Sequence, residues 1–298
     1  MCSAPPSRPG PRRRAPTAHV DLHCHSTASD GEQPAEAVVH CARAAGLAAI
    51  ALTDHDTLAG IPAAEATGRA VGVRVISGCE FSVRAPWGEL HLLGYFLPLG
   101  NQRLEAFLAE ARAARERRGR QMVEKLQRLG VPLDLERVTA RSRGGALGRP
   151  HVARALLDAG HVTSFEEAFW RFLGRGKPAF VEKPLPALTD VTSLVHDTGG
   201  LAVAAHLGDR GTEAQIRELQ AGGIDGVEVR HPSHDAATEA RLLRVARQLS
   251  LGISGGSDWH GETRPGSSHA PLGGMKVPEE WLKELEERRN ETKSGGTA

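Results

Sequence analysis

The stretch from His19 to Gly31 reads HVDLHCHSTASDG and sets His23 and His25 two residues apart behind Asp21. Alternate side chains of a strand share a face, so Asp21, His23 and His25 point one way while Leu22 and Cys24 point the other. Imidazole and carboxylate without thiolate suit Mn, Fe or Zn in a hydrolytic site. The same residue types recur along the chain: His55 in LTDHDT, Glu80 in GCEFS, His91 in HLLGYF, His206 in AHLG, Glu228 in VEVR, and Asp258 with His260 in GSDWH. Each stands at the end of a short apolar run. These are too many donors for one ion, which predicts a multinuclear centre of the kind that polarises a phosphoryl group and activates water. Asp21 and Asp54 are expected to accept the outer N–H of a ligating imidazole, with helix or turn capping as the alternative for both. Cys24 and Cys79 should face away and pack.

Such donors need a scaffold that brings strand ends together. The chain has 298 residues, 40% of them hydrophobic and 4% aromatic. Its runs of Val, Ile, Leu and Ala, such as LAAIAL and LAVAA, read as buried parallel strands. Helix and strand patterns alternate up to about residue 100 and again from residue 184, giving about seven barrel-type units. In parallel barrels the carboxyl ends of the strands carry the chemistry. Between them, residues 101–183 read as mainly helical. The expected organisation is therefore an α/β barrel in two parts, 19–100 and 184–290, with a helical cap inserted at 101–183. The Pro- and Arg-rich residues 1–18 and the polar residues 291–298 are expected to be disordered tails.

Thirty-seven basic and thirty-six acidic side chains leave a formal charge of +1. The charge is uneven: residues 101–155 carry thirteen Lys/Arg against six Asp/Glu, a face suited to an anion. Arg149 and His151 open a helix in GRPHVARAL with Pro150 at its first turn, where free N–H groups favour phosphate. Lys177 in GRGKPAF is a further candidate of this kind. His231 and His234 flank a turn after a strand, placed to contact substrate or to protonate a leaving oxygen. His40, His161, His196 and His269 read as ordinary helix or loop residues. The four cysteines lack paired spacing, which fits a reducing cytoplasm. No apolar run reaches the roughly 20 residues that span a bilayer, and nothing in the chain calls for a membrane or an obligate protein partner. Basic patches interleaved with aromatics, the mark of a purely RNA-binding protein, are missing.

In order, DLHCHSTASDG, LTDHDT, GCEFS, HLLGYF, AHLG and GSDWH resemble the motifs of the PHP (polymerase and histidinol phosphatase) superfamily. Within it the chain is similar, from Val20 to Val277, to stand-alone phosphoesterases associated with bacterial tryptophan operons; GRPHVARAL and VEVRHPSH strengthen that likeness. The resemblance implies a distorted seven-stranded (β/α) barrel and two or three divalent ions, Mn before Zn or Fe. It implies that His23, His25, Glu80 and Asp258 hold one ion and form the catalytic set. Glu80 would bridge to a second ion held with His91 and His206, and Asp30, His55 and His260 would hold a third. The implied reaction is in-line attack of a metal-bridging hydroxide on phosphorus. The implied substrate is a nucleoside 3′,5′-bisphosphate, with 5′-3′ trimming of short 5′-phosphorylated RNA as the alternative. Histidinol phosphate is a rival substrate, but its amine asks for an acidic pocket. A non-catalytic metal-binding module of a nucleic-acid enzyme would be expected to lack ligands, and none is missing.

Overall fold

A computed structural model describes residues 18–141, 148–261 and 270–295. Apart from Ala18, the basic tail expected for residues 1–18 lies outside the described residues, as does His269.

The first half alternates as its apolar runs demand: β1 (His19–Cys24), α1 (Ala35–Ala44), β2 (Ala49–Leu52), α2 (Ile61–Val71) and β3 (Arg74–Ala85). β1, β2 and β3 pair in parallel, with Val20 opposite Ala49 and Ala49 opposite Arg74. β3 then turns back into β4 (Gly88–Tyr95) as an antiparallel hairpin, with Gly88 in the positive-φ region at 119°. After the helical segment come α7 (Leu188–Asp197), β5 (Leu201–Ala204), α8 (Glu213–Ala221), β6 (Gly226–Arg230), α9 (Ala236–Gln248) and β7 (Gly252–Gly255). A two-residue strand, β8 (Val277–Pro278), pairs antiparallel with β1 before the last helix, α10 (Glu279–Gly295).

The sheet order is β7-β6-β5-β4-β3-β2-β1-β8, a nearly closed barrel of eight strands rather than the seven expected. The eighth is β8, which is too short for any periodicity to reveal. The sheet is also mixed, because β4 runs antiparallel to both neighbours. α10 continues past residue 290, the expected start of the C-terminal tail.

Residues 101–183 hold α3 (Gln102–Arg128), α4 (Leu135–Arg141), α5 (Arg149–Asp158), α6 (Phe165–Ala168) and a π-helical turn at Phe169–Leu173. The Asn101 side chain caps α3 by accepting from Leu104 N at 3.0 Å. Leu104 and Leu108 near the start of α3 belong to the barrel core, whereas Met122, Val123 and Leu126 near its end belong to a second apolar cluster. That second cluster also takes in Val152 and Leu156 of α5 and Phe172 and Leu173 of the π turn. The arginine-rich helix α3 thus carries cations from one core to the other across the mouth of the barrel. Among the described residues no helix is long and apolar enough to cross a membrane.

Candidate metal centre

β1 delivers His23 and, just past its end, His25; both side chains are fully buried. The turn that follows brings Asp30 back to them. Asp54 shapes that turn by accepting from Ser26 N at 2.8 Å, Ser26 Oγ at 2.7 Å and Ser29 Oγ at 2.6 Å. Gly31 is required there, since a Cβ would lie 2.7 Å from His25 O. Glu80 comes from the middle of β3 and His91 from β4, with Glu80 opposite Leu93 and Ser82 opposite His91. His206 and Asp258 follow β5 and β7 and take positive φ values of 32° and 50°. For non-glycine residues that backbone stores about 1–3 kcal/mol, a burden that persists where the surroundings hold a functional geometry.

Glu80 is the hub. Its Oε2 lies 3.3 Å from His23 Nε2, 3.1 Å from His25 Nε2 and 3.3 Å from His55 Nδ1. Its Oε1 lies 2.6 Å from His91 Nδ1 and 3.1 Å from His206 Nε2. Asp258 Oδ1 sits 3.2 Å from both His23 Nε2 and His25 Nε2. Asp30 faces His260 Nε2 at 3.3 Å and His55 Nε2 at 3.7 Å. Mutually close donor atoms fall into sets, each within 4.8 Å: His23, His25, Glu80 and Asp258; His25, Asp30, His55 and His260; and His55, Glu80 and His91. The first set matches the first ion implied above. The other two differ in detail, for His25 joins the Asp30 set and His55, rather than His206, completes the set with His91.

These residues fit divalent cations. The ring nitrogens His23 Nε2, His25 Nδ1, His25 Nε2 and His55 Nδ1 are buried without a hydrogen-bond partner, a costly arrangement that a bound cation relieves. Burial pulls the His25 imidazole down, but the carboxylates of Asp258 and Glu80 close beside it outweigh this and hold the group at about 10. His91 is half-buried; desolvation pulls it down, but Glu80 outweighs this and holds it at about 9. Protons on buried imidazoles are doing what a metal ion would do, neutralising clustered carboxylates.

Glu228, noted in the sequence among the strand-end donors but assigned to no ion, is fully buried behind the centre, where it forms a further close set with His23 and His231. Its Oε1 lies 2.9 Å from His23 Nδ1, and its Oε2 accepts from His206 N at 2.8 Å. A proton on His23 Nδ1 leaves Nε2 as the lone pair facing Glu80 and Asp258. Period-two alternation in GVEVR was the signal that marked it. Asp21 and Asp54 take the capping alternative rather than the imidazole N–H expected first for them. Asp21 accepts from Ser257 N at 3.0 Å and Gly273 N at 2.7 Å, and Asp54 serves the Ser26–Ser29 turn, so both bind groups outside the ligating rings. Cys24 Sγ contacts Ala51 O at 3.2 Å, and both Cys24 and Cys79 are buried in the core.

Beside His91 and His206 opens a cleft of about 610 Å³. Its lining includes the cations Arg84, Arg118, Arg149, Arg175, Lys183 and Arg210, against the acids Glu89 and Glu182. Arg149 thus reaches the cleft, with Nη2 4.0 Å from Glu89 Oε2. Arg118 on α3 is only 7% exposed and donates Nε–H to Val181 O at 2.9 Å, with no carboxylate within 4 Å among the described residues. Burial, then repulsion from Arg149, lowers its guanidinium to about 10. Burial and then Arg115 likewise bring Lys183 to about 8, and its ammonium contacts Ser82 Oγ and Glu89. Neither residue stood out in the sequence, where Arg118 is one of many arginines on a long helix.

The remaining candidates separate. His151 Nδ1 accepts from Gly148 N at 3.0 Å at the start of α5. Lys177 lies 5.5 Å over the Trp170 ring and does not line the cleft. His231 Nδ1 accepts from Ser233 N at 3.1 Å, and its Nε2 lies 3.5 Å from Asp258 Oδ2. His234 has both nitrogens on backbone, Nδ1 at 2.9 Å from Val229 O and Nε2 accepting from Gly208 N at 3.1 Å. That bond steadies the loop after His206, and no ring nitrogen is left for a substrate.

The PHP domain family model matches residues 21–129. Over 249 residues the chain is 34% identical to a 5′-3′ exoribonuclease of Haemophilus influenzae, covering 82% of this chain and 90% of that one. The chain belongs to the PHP family. A 3′,5′-nucleoside bisphosphate phosphatase of Chromobacterium violaceum is also 34% identical, over 82% of this PHP protein and 87% of the relative. In three dimensions it matches a structure from Bifidobacterium adolescentis, titled a metal-dependent phosphoesterase, with a TM-score of 0.83 and 31% identity. The match covers 92% of this chain and 97% of the other. As a PHP phosphoesterase the protein is a metal-dependent hydrolase of phosphoester bonds.

Proposed function

We propose that this PHP phosphoesterase acts on nucleotides that carry a second phosphate, a nucleoside 3′,5′-bisphosphate first and the 5′-phosphorylated end of short RNA second. The observation that carries this reading is Arg118, a buried guanidinium with no carboxylate within 4 Å among the described residues, facing a cleft that adjoins the metal centre. Glu89 and Glu182 offset its charge only from a distance, and a buried cation without a contacting counter-ion is the expected state of an anion site awaiting its ligand.

Two or three divalent ions, manganese first and zinc or iron as alternatives, would be held by His23, His25, Glu80 and Asp258, by His91 and His206 with Glu80, and by Asp30, His55 and His260. When bound they supply Lewis acidity at the phosphoryl oxygens and lower the pKa of water. Arg118, Arg149 and Lys183 grip the phosphate that does not react, which places the other at the mouth of the barrel. Glu89 faces Lys183 at 3.4 Å and Arg149 at 4.0 Å, a weak partner that an incoming dianion displaces. His231 receives the Ser233 N–H at Nδ1, so its own N–H is on Nε2, directed at the centre, where it would donate a hydrogen bond to the leaving oxygen. The three cysteines among the described residues are unpaired, in keeping with a cytoplasmic nucleotide pool.

The test is phosphate release from adenosine 3′,5′-bisphosphate, nucleotide release from a 5′-phosphorylated RNA pentamer, and phosphate release from histidinol phosphate, each with manganese and with chelator. The bisphosphate and RNA should react only with metal. Preference for histidinol phosphate, or activity indifferent to chelation, would refute the reading.

A further inference from the structure

Trp170 is 70% exposed, more than any other large hydrophobic side chain described. It sits on the π-helical turn Phe169–Leu173, and π turns are rare features that gather at functional sites. The ring is not isolated from the cleft. Its neighbour Phe169 lies 6.0 Å under the guanidinium of Arg149, which lines the cleft. The turn that follows is held by Gly174 N on Phe169 O at 2.8 Å and by Lys177 N on Gly174 O at 3.0 Å. That short turn carries Arg175 into the cleft and sets the Lys177 ammonium 5.5 Å over the Trp170 ring. Arg175 meets only Glu182, at 3.4 Å, and both of those side chains are largely exposed.

A water-facing indole flanked by cations, one step from a cationic cleft, has the composition of a single-strand platform. A base stacks on the ring while neighbouring phosphates meet the charges. We infer that Trp170, with Lys177 and Arg175 beside it, stacks a base of single-stranded RNA that continues out of the cleft, so that a chain of several nucleotides is held at two places and a mononucleotide at one. This inference rests on the nucleotide reading of the cleft and extends it to the length of the substrate.

Base stacking on one aromatic ring is worth about tenfold in binding, within the wide range such contacts show. Trp170→Ala should therefore raise KM for a 5′-phosphorylated RNA pentamer about tenfold while leaving kcat/KM for adenosine 3′,5′-bisphosphate within twofold. Trp170→Phe, which keeps a π-face, should restore most of the pentamer affinity. Independently, a phosphorothioate pentaribonucleotide added to the metal-loaded enzyme should quench tryptophan fluorescence clearly more in the wild type than in Trp170→Phe, in which Trp87 of the cleft still reports binding; equal quenching in the two would count against the stacking site. An unchanged KM for the pentamer in Trp170→Ala, or equal losses on both substrates, would overturn the stacking site. Should the wild type hydrolyse the bisphosphate yet neither bind nor cleave the pentamer, the stacking site falls and the bisphosphate reading stands. Trp170-dependent quenching by the pentamer without hydrolysis of either substrate would keep the site and refute the activity.

Discussion

Replacing Arg118 with methionine keeps the aliphatic stem and removes the charge, which separates binding from folding. Lowering the guanidinium from its ordinary value to about 10 corresponds to roughly 3 kcal/mol against the charged form in the fold. Solvent at the open side of the cleft reduces this to about half. Because the folded value lies below the unfolded one, the penalty is complete below about pH 10 and fades as pH rises above it. An assay at pH 7 therefore registers all of it. Against this gain, the variant loses the hydrogen bond to Val181 O, worth about 1 kcal/mol. The balance is a slight stabilisation, a Tm unchanged or up by about 1 or 2 °C in the absence of substrate. Catalysis should move the other way. Loss of a buried charged contact to phosphate costs about 2–4 kcal/mol, or roughly 30- to 1000-fold in kcat/KM for the bisphosphate. An aryl phosphate with a single phosphate should lose less than about threefold, since it leaves that subsite empty. Calorimetry and steady-state kinetics on the same preparation decide the matter. A clear fall in Tm together with equal losses on both substrates would show that Arg118 serves the fold, and the argument from its unpaired charge would fail.

Three further outcomes test the centre itself. Glu228→Gln retains an acceptor near His23 Nδ1 but removes the charge, and metal affinity should drop about 10- to 100-fold; unaltered metal content after dialysis would refute a positioning role. In the metal-free protein His25 is held at about 10 and His91 at about 9, above their unfolded values, so their protonation stabilises the fold fully below about pH 6.5. That contribution is lost as pH rises through 9 to 10, and Tm of the metal-free protein should decline across that window. Manganese uptake near pH 7.5 should release about two protons per chain, read by calorimetric titration in buffers of different ionisation enthalpy; no release would mean that these imidazoles are not ligands.

The strand-end donors were legible because apolar runs and period-two alternation place a side chain without knowledge of the rest of the fold. His23, His25, Glu80 and Asp258 stand together for that reason. Asp21 and Asp54 were read in the right neighbourhood with the wrong partners, since a backbone N–H carries no residue code. Their acceptors' partners, Ser257 N, Gly273 N and Ser26 N, belong to loops whose path only the folded chain reveals. Arg118 and Lys183 were hidden for a different reason. A cation on a charged helix or loop looks the same in sequence whether it faces water or a cleft, and burial alone tells them apart. His234 shows the opposite hazard, an imidazole near the centre whose nitrogens both belong to the backbone.

The sheet begins and ends at the centre. β1 lies next to the end of the sheet away from β7, and the two meet through Asp21 on Ser257 N, His25 N on Trp259 O at 2.9 Å, and Gly256 packed against His23, where any side chain would collide. The first ligands to leave the ribosome are thus completed by nearly the last. During vectorial synthesis, which exposes the N-terminal part first, a nascent chain bearing His23, His25 and Glu80 lacks Asp258 and His260. It can hold a cation only loosely until β7 has emerged and docked. Selection of the ion is therefore deferred until the barrel has closed, when the geometry of the whole centre rather than the affinity of a half-built site decides which metal stays.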